Sequence, residues 1–140
     1  MVKRVLFLCT GNSARSQMAE AIVNNRLKGR WEAVSAGVEP AERVHPFAIQ
    51  ALAEIGLSSE SLRPKTTDAV ASIDLDLVVT VCDHAHQTCP LWLRGGETRH
   101  MGMPDPAAAE GTNEVRMAAF RAARDTIIER ILPLLEEWPE

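Results

Sequence analysis

No apolar stretch in the chain approaches the ~20 residues that a membrane-spanning helix needs, so no membrane association is expected. The N-terminus runs straight into a strand pattern and lacks the order of segments that marks a secretory signal. Excess positive charge is missing as well: the net charge of −4 argues against non-specific nucleic-acid binding. There are no internal repeats, low-complexity tracts or linkers. A single domain over residues 1–140 is therefore expected, in the cytoplasm. Cysteines are few, three in all, and cytoplasmic thiols are kept reduced. Three cysteines in that setting point to chemistry more than to a structural disulfide.

What is present suits an ordinary globular protein. At 140 residues, 46% of them apolar and 24% charged, the chain is long enough for one real core. Strand and helix patterns alternate. Strands are expected at residues 3–8, 33–35, 75–81 and, more weakly, 98–101. Helices are expected at 14–27 and at 46–55, with Pro46 in the first turn and Gly56 as the stop. A short helix should follow Thr66. A last helix should start near Thr112 or Asn113, with Val115, Ala119, Ala123, Ile127, Ile131 and Leu135 as its apolar positions. Pro133 should kink or break that helix near its end. This order implies an α/β fold: a four-stranded parallel sheet with helices on both faces. Ligands then bind beyond the carboxyl ends of the strands.

At one of those ends stands Cys9, which closes the apolar run VLFL and opens CTGNSARS. The small and polar residues between Cys9 and Arg15 allow successive backbone N–H groups to turn inward as an anion-binding nest. The helix that follows directs its positive end at the same spot. Gly11 permits a positive φ, and Asn12 tolerates one. Arg15 adds a planar fork that matches two oxygens of a tetrahedral oxyanion. The oxyanion-binding set is thus Thr10, Gly11, Asn12, Ser13, Ala14 and Arg15. A helix N-terminus and a nearby cation favour a thiolate, to which Ser16 can donate a hydrogen bond. The loop therefore both binds an oxyanion and activates a sulfur to attack it. The bland alternative is a buried thiol acting as a small hydrophobe. A nucleotide-binding loop is excluded, because no G-K-[ST] ending follows.

Two further constellations lie downstream. Cys82 follows the strand LDLVVTV and stands seven residues before Cys89 in CDHAHQTCP. In a helix the pair would be two turns and ~10 Å apart, beyond the ~7 Å between Cα atoms that a disulfide tolerates. The two can bond only if the segment is a loop or unwinds, which suits a redox switch. Two other readings stay open: a buried strand-end thiol with an incidental surface thiol, or a metal site of Cys82, His84, His86 and Cys89. The metal spacing fits no common zinc module. Asp105 lies between two prolines, is rigidly placed, and can act as general acid to a leaving oxygen. Standing alone it reads equally as a solvent-exposed turn residue.

These residues resemble the low-molecular-weight protein tyrosine phosphatases, and more closely the thioredoxin-coupled arsenate reductases that share their flavodoxin-like fold. The resemblance runs through CTGNSARSQMAEA, Ser35–Gly37, DLVVTVC with Cys89 and Pro90, and the PDP around Asp105. It implies a three-thiol relay. Cys9 attacks arsenate held by the loop and Arg15, and Asp105 protonates the departing oxygen. Cys82 attacks the Cys9 sulfur and arsenite leaves. Cys89 then attacks Cys82, and thioredoxin reduces the Cys82–Cys89 disulfide. Glutaredoxin is the alternative reductant. Phosphate and sulfate should compete with arsenate, and a monomer is expected, since a partner must reach the disulfide. No cofactor is required by this chemistry. The family also implies a candidate potassium site at Asn12, Glu20, Ser35 and Asp68, for which an ordinary hydrogen-bond network is the competing reading.

The departures from the family bear on activity. Phosphatases of this family usually carry a tyrosine where this chain has Ala107, and the chain has no tyrosine at all. That argues against a dedicated tyrosine phosphatase. The phosphatase reading, hydrolysis through a cysteinyl phosphate, remains the main alternative. A non-enzymatic thiol or metal sensor built on CDHAHQTC is the third.

Overall fold

The computed structural model describes residues 2–82, 85 and 97–139. Strand β1 (Lys3–Cys9) carries Val5, Leu6, Phe7 and Leu8, none of which has exposed surface. Successive strand residues face opposite sides, so the sheet is covered on both faces at this strand. Strand β2 (Trp31–Gly37) pairs with it in parallel from Lys3–Trp31 to Cys9–Gly37. On the other side β3 (Leu77–Thr80) pairs from Val5–Leu77 to Leu8–Thr80. Strand β4 (Glu97–His100) follows beyond it. The expected four-stranded parallel sheet is thus present, in the order β2-β1-β3-β4. The loops after β1 and β3 flank the point where strand order reverses, which is where open α/β sheets bind ligands.

Strand β2 is longer than the three residues expected. It gains two residues at each end, all paired with β1, and at its start Trp31 is buried and donates its indole N–H to the Leu135 carbonyl at 3.0 Å. Helix α1 (Arg15–Arg26) packs on β1 and β2 through Met18, Ala19, Ile22 and Val23, all without exposed surface. Helix α2 (Pro46–Ala53) starts at the expected proline. It ends two residues early, in a turn that closes at Gly56 with a φ of +81°. The short helix after Thr66 is a single 3-10 turn, Thr67–Val70.

Helix α3 (Asn113–Thr126) is capped by Thr112, whose hydroxyl accepts from Val115 N–H at 3.2 Å. Its expected apolar face is corrected at the N-terminal end. Val115 is exposed, while Met117 and Phe120 face the core together with Ala123. Positions four apart drift by about 40° per step on a 3.6-residue helix, so that series cannot stay on one face. The regular α-helix is interrupted ahead of Pro133. A π-turn, Ile127–Ile131, precedes it, and the chain continues as α4 (Leu132–Glu136). Pro133 has no N–H for the carbonyl four residues back, and the wider turn upstream takes up that register. Arg121 and Arg124 of α3 grip Glu54 after α2 at 2.7 and 2.8 Å. The hydrogen bond from Arg121, then that from Arg124, holds the Glu54 carboxyl down at about 2. No helix among the described residues is long and apolar enough to cross a membrane.

Candidate active site

Every carbonyl of the loop from Cys9 to Ala14 is taken from outside the loop's concave side. Val38, Glu39, Ala41 and His45 donate their backbone N–H groups to the carbonyls of Cys9, Thr10, Gly11 and Ser13, at 3.3, 2.9, 2.8 and 2.8 Å. Gln17 Nε2 donates to the Asn12 carbonyl at 2.9 Å, and Met18 N–H to that of Ala14 at 2.9 Å. In a planar peptide the N–H points opposite to the carbonyl, so the N–H groups that follow these carbonyls turn inward. Inward N–H groups of this kind form an anion-binding nest. Ala14 stands at the N-cap of α1 and offers no capping side chain. The first-turn N–H groups of the helix therefore remain for an anion.

The backbone twist that forms the nest falls on Asn12, with a φ of +50°. Gly11, which would permit a positive φ, does not use one: Asn12 alone among the non-glycine residues described does so, and Gly11 is not among the glycines with positive φ. A Cβ on Gly11 would meet nothing nearer than Ser13 Oγ, at 3.6 Å. The glycine that the loop demands is Gly37 at the end of β2. A Cβ there would lie 2.7 Å from the Thr10 carbonyl oxygen and 2.9 Å from Asn12 Cβ.

The Cys9 sulfur is almost fully buried and has two partners. Ser16 Oγ lies at 2.8 Å, and Asn12 N–H donates at 3.2 Å. Asn12 Nδ2 donates to Ser16 Oγ at 2.8 Å, which leaves the serine proton for the sulfur. Both contacts bring a donor group against the sulfur. Arg15 is held by the far wall: its Nη1 donates to the Met103 carbonyl at 2.9 Å and approaches that of Val81 at 3.4 Å. Its Nη2 lies 3.9 Å from Asp105 Oδ2. The Asp105 carboxylate is half exposed and accepts from Ala107 N–H at 3.0 Å, as the N-cap of the 3-10 turn Pro106–Ala108. Arg15 and Asp105, 90 positions apart in the chain, thus meet at one opening.

Cys82 is buried too, and comes to the same edge. Its sulfur lies 3.2 Å from Thr10 Oγ1 and accepts from Ala85 N–H at 3.3 Å. Cys9 and Cys82 are both free thiols. Cys89, His84 and His86 lie outside the described residues, so the spacing of the second thiol pair and the metal reading of that segment are not tested. Among the described residues no three His, Cys, Asp or Glu side chains converge on a metal position.

Behind the loop, Asn12, Ser35 and Glu20 are drawn together. Ser35 Oγ donates to Glu20 Oε1 at 2.8 Å, while Asn12 Oδ1 accepts from Lys65 N–H at 3.0 Å. Asp68 is exposed in its 3-10 turn. An ammonium group that the sequence reading did not single out stands here: Lys65 Nζ lies 3.5 Å from Glu20 Oε1. Asn12 Oδ1 and Glu20 Oε1 thus already serve N–H, O–H and ammonium donors, a hydrogen-bond and ion-pair network behind the loop.

His45 is another residue missed from sequence. Its backbone N–H holds Ser13, its Nδ1 accepts from Phe47 N–H at 3.1 Å, and its ring lies 4.5 Å from that of Phe120. Burial pushes its pKa down, Arg116 adds to this, and Asp105 opposes it. Gln17 had one visible signal, a long polar side chain beside Met18 on the buried side of α1. Residues 38–45 had none, because they act through main-chain groups.

The chain is similar to known proteins along nearly its whole length. The family model for low molecular weight phosphotyrosine protein phosphatase matches residues 4–139. An arsenate reductase of Halalkalibacterium halodurans is 45% identical over 134 residues, covering 96% of both chains. A solved arsenate reductase in its phosphate-binding state superposes with a TM-score of 0.82 at 28% identity, covering 96% of this chain and 98% of the other. A thioredoxin-dependent arsenate reductase of Corynebacterium glutamicum superposes with a TM-score of 0.71 at 27% identity, over 96% of this chain and 62% of that one.

Proposed function

The chain belongs to the low molecular weight phosphotyrosine protein phosphatase family, and from that premise we propose that it is an arsenate reductase regenerated by thioredoxin. The observation that carries this reading is the place of Cys82. Its sulfur sits 3.2 Å from the residue that follows the loop nucleophile, where a hydrolase needs only water.

In the proposed reaction, arsenate enters the nest and binds the inward N–H groups and the Arg15 guanidinium. The Cys9 thiolate forms a bond to arsenic while Asp105 gives its proton to the departing oxygen, which leaves as water. Cys82 then attacks the Cys9 sulfur. The electron pair of the sulfur–arsenic bond passes to arsenic, which is reduced from As(V) to As(III) and leaves as arsenite. The Cys9–Cys82 disulfide remains. Cys89 attacks Cys82, Cys9 returns to a thiolate, and the dithiol of thioredoxin reduces Cys82–Cys89. Each turnover moves two electrons from thioredoxin to arsenic. The enzyme acts as a monomer, since thioredoxin must reach the second disulfide, and no cofactor takes part.

Support for arsenate as the substrate comes from the Halalkalibacterium halodurans relative at 45% identity, an arsenate reductase. The same loop should also hydrolyse aryl phosphates slowly, because phosphate matches arsenate in shape and charge. Ala107 gives an aromatic leaving group nothing to stack on. The test is arsenate-dependent NADPH oxidation with thioredoxin and thioredoxin reductase. Sustained turnover is expected. No turnover, with p-nitrophenyl phosphate hydrolysed efficiently, would contradict it and place the chain with the phosphatases; turnover with glutaredoxin alone would replace the reductant.

A further inference from the structure

We propose that Lys65 supplies, from within the chain, the positive charge behind the oxyanion loop, so that the protein takes up no alkali cation there and does not respond to potassium. Lys65 acts as a positioning residue and touches no reacting atom.

Its ammonium lies 3.5 Å from Glu20 Oε1, whose carboxylate is mostly buried, and also donates to the Arg63 carbonyl at 3.2 Å. That Glu20 oxygen accepts from Ser35 as well. The main chain of the same lysine holds two other parts of the frame. Its N–H donates to Asn12 Oδ1 at 3.0 Å, and its carbonyl accepts from Gly37 N–H at 2.8 Å. Lys65 therefore binds, through three groups, the loop residue with positive φ, the end of β2 and the carboxylate on α1.

Glu20 is a charge that needs a counter-charge, since removing a carboxylate from water is costly unless it is paired. A hard cation at this place would require several oxygens with free lone pairs. Asn12 Oδ1 already accepts an N–H, and Glu20 Oε1 a hydroxyl and an ammonium, which leaves fewer lone pairs here for a metal ion. A potassium ion would also sit within a few ångströms of the ammonium, a like-charge contact that low local dielectric makes worse. The ammonium holds the advantage of attachment. A group on a short tether presents an effective concentration in the millimolar range or above, whatever the salt outside.

The consequence reaches the sulfur through a short chain of contacts. Lys65 fixes Asn12, Asn12 donates to Ser16, and Ser16 holds Cys9. Loss of the ammonium leaves Glu20 without its counter-charge; the main-chain N–H of residue 65 still reaches Asn12, but its side chain no longer anchors that segment on Glu20, so the hold on Asn12 loosens and oxyanion affinity should fall. A potassium ion could then take the vacated position and restore it.

The inference uses the loop's capacity to hold an oxyanion, on which the arsenate reading also rests, but its first readout needs no oxyanion. Thermal unfolding of wild type, Lys65→Gln and Lys65→Arg is followed in potassium chloride and in choline chloride at equal ionic strength. Phosphate affinity is measured beside it. Wild type and Lys65→Arg should give the same Tm and the same phosphate Kd in both salts. Lys65→Gln should bind phosphate about tenfold more weakly in choline and recover in potassium, as expected for loss of one charged contact. A potassium-specific rise in wild-type Tm would overturn the proposal. So would a Lys65→Gln protein with unchanged affinity and no response to potassium. Should Lys65→Gln fail to fold, the salt comparison on wild type and Lys65→Arg decides alone. Failure of arsenate reduction would leave these readouts standing.

Discussion

Thr10 Oγ1 and Cys82 Sγ stand 3.2 Å apart, joining residues that are 72 positions distant in the chain. The contact follows from strand register. Leu8 pairs with Thr80, and Val81 N–H donates to the Leu8 carbonyl at 3.0 Å, so two residues further along each chain Thr10 meets Cys82. The second thiol therefore arrives at the loop by the geometry of two adjacent parallel strands, without any special side-chain device.

Gly37→Ala should damage the loop from behind. The new Cβ would sit 2.7 Å from a backbone oxygen and 2.9 Å from Asn12 Cβ, and neither is the end of a flexible side chain. The loop must move. Overpacking of this kind costs about 1–3 kcal/mol, so Tm should fall and phosphate binding should weaken together. A Tm and phosphate Kd equal to wild type would show that the close approach does not matter.

Asp105→Asn should slow the chemical step and spare oxyanion binding. The amide cannot supply a proton to the departing oxygen, and general acids of this kind contribute about 10²–10⁴-fold. The carboxylate also lies 3.9 Å from Arg15, so its removal frees the guanidinium for the anion. The kcat for arsenate should drop while the phosphate inhibition constant stays level or tightens. A parallel loss of phosphate affinity would mean that Asp105 shapes the site and does not act as the acid.

His45 should impose a pH dependence on stability. Burial, then Arg116, lowers its pKa below the ordinary 6.5, and Nδ1 must be unprotonated to accept from Phe47. The unfolded chain then binds the proton more readily than the folded one. Stability from this group is full above 6.5 and is lost as pH falls from there through the lower folded value. His45→Asn keeps a helix-capping oxygen but cannot titrate. The stability of wild type relative to this variant should be constant above pH 6.5 and decline below it. A difference independent of pH across that range would contradict the assignment.

Much of the site was legible because it is local. Cys9, Asn12, Arg15 and Ser16 fall within one strand–loop–helix turn, and their chemistry depends on neighbours a few positions away. The parallel sheet was legible for a similar reason, since VLFL and LDLVVTV read as strands buried on both faces. Other parts depend on distant partners. Lys65 meets Asn12 across 53 positions. Trp31 meets Leu135 across 104. The four main-chain donors of residues 38–45 that turn the loop's carbonyls outward leave no mark in side-chain identity. The face of α3 was misread for a simpler reason, a series spaced by four on a helix whose period is 3.6.

The relay itself is tested most directly in Cys89→Ser. The variant is reduced, mixed with arsenate in the absence of thioredoxin, digested under acid and analysed by mass spectrometry, with arsenite quantified in parallel. The account predicts about one arsenite per enzyme and a Cys9–Cys82 disulfide, after which the protein stalls because no third thiol can free Cys9. Continued turnover when thioredoxin is then added, or arsenite formed with Cys82 still reduced, would contradict it.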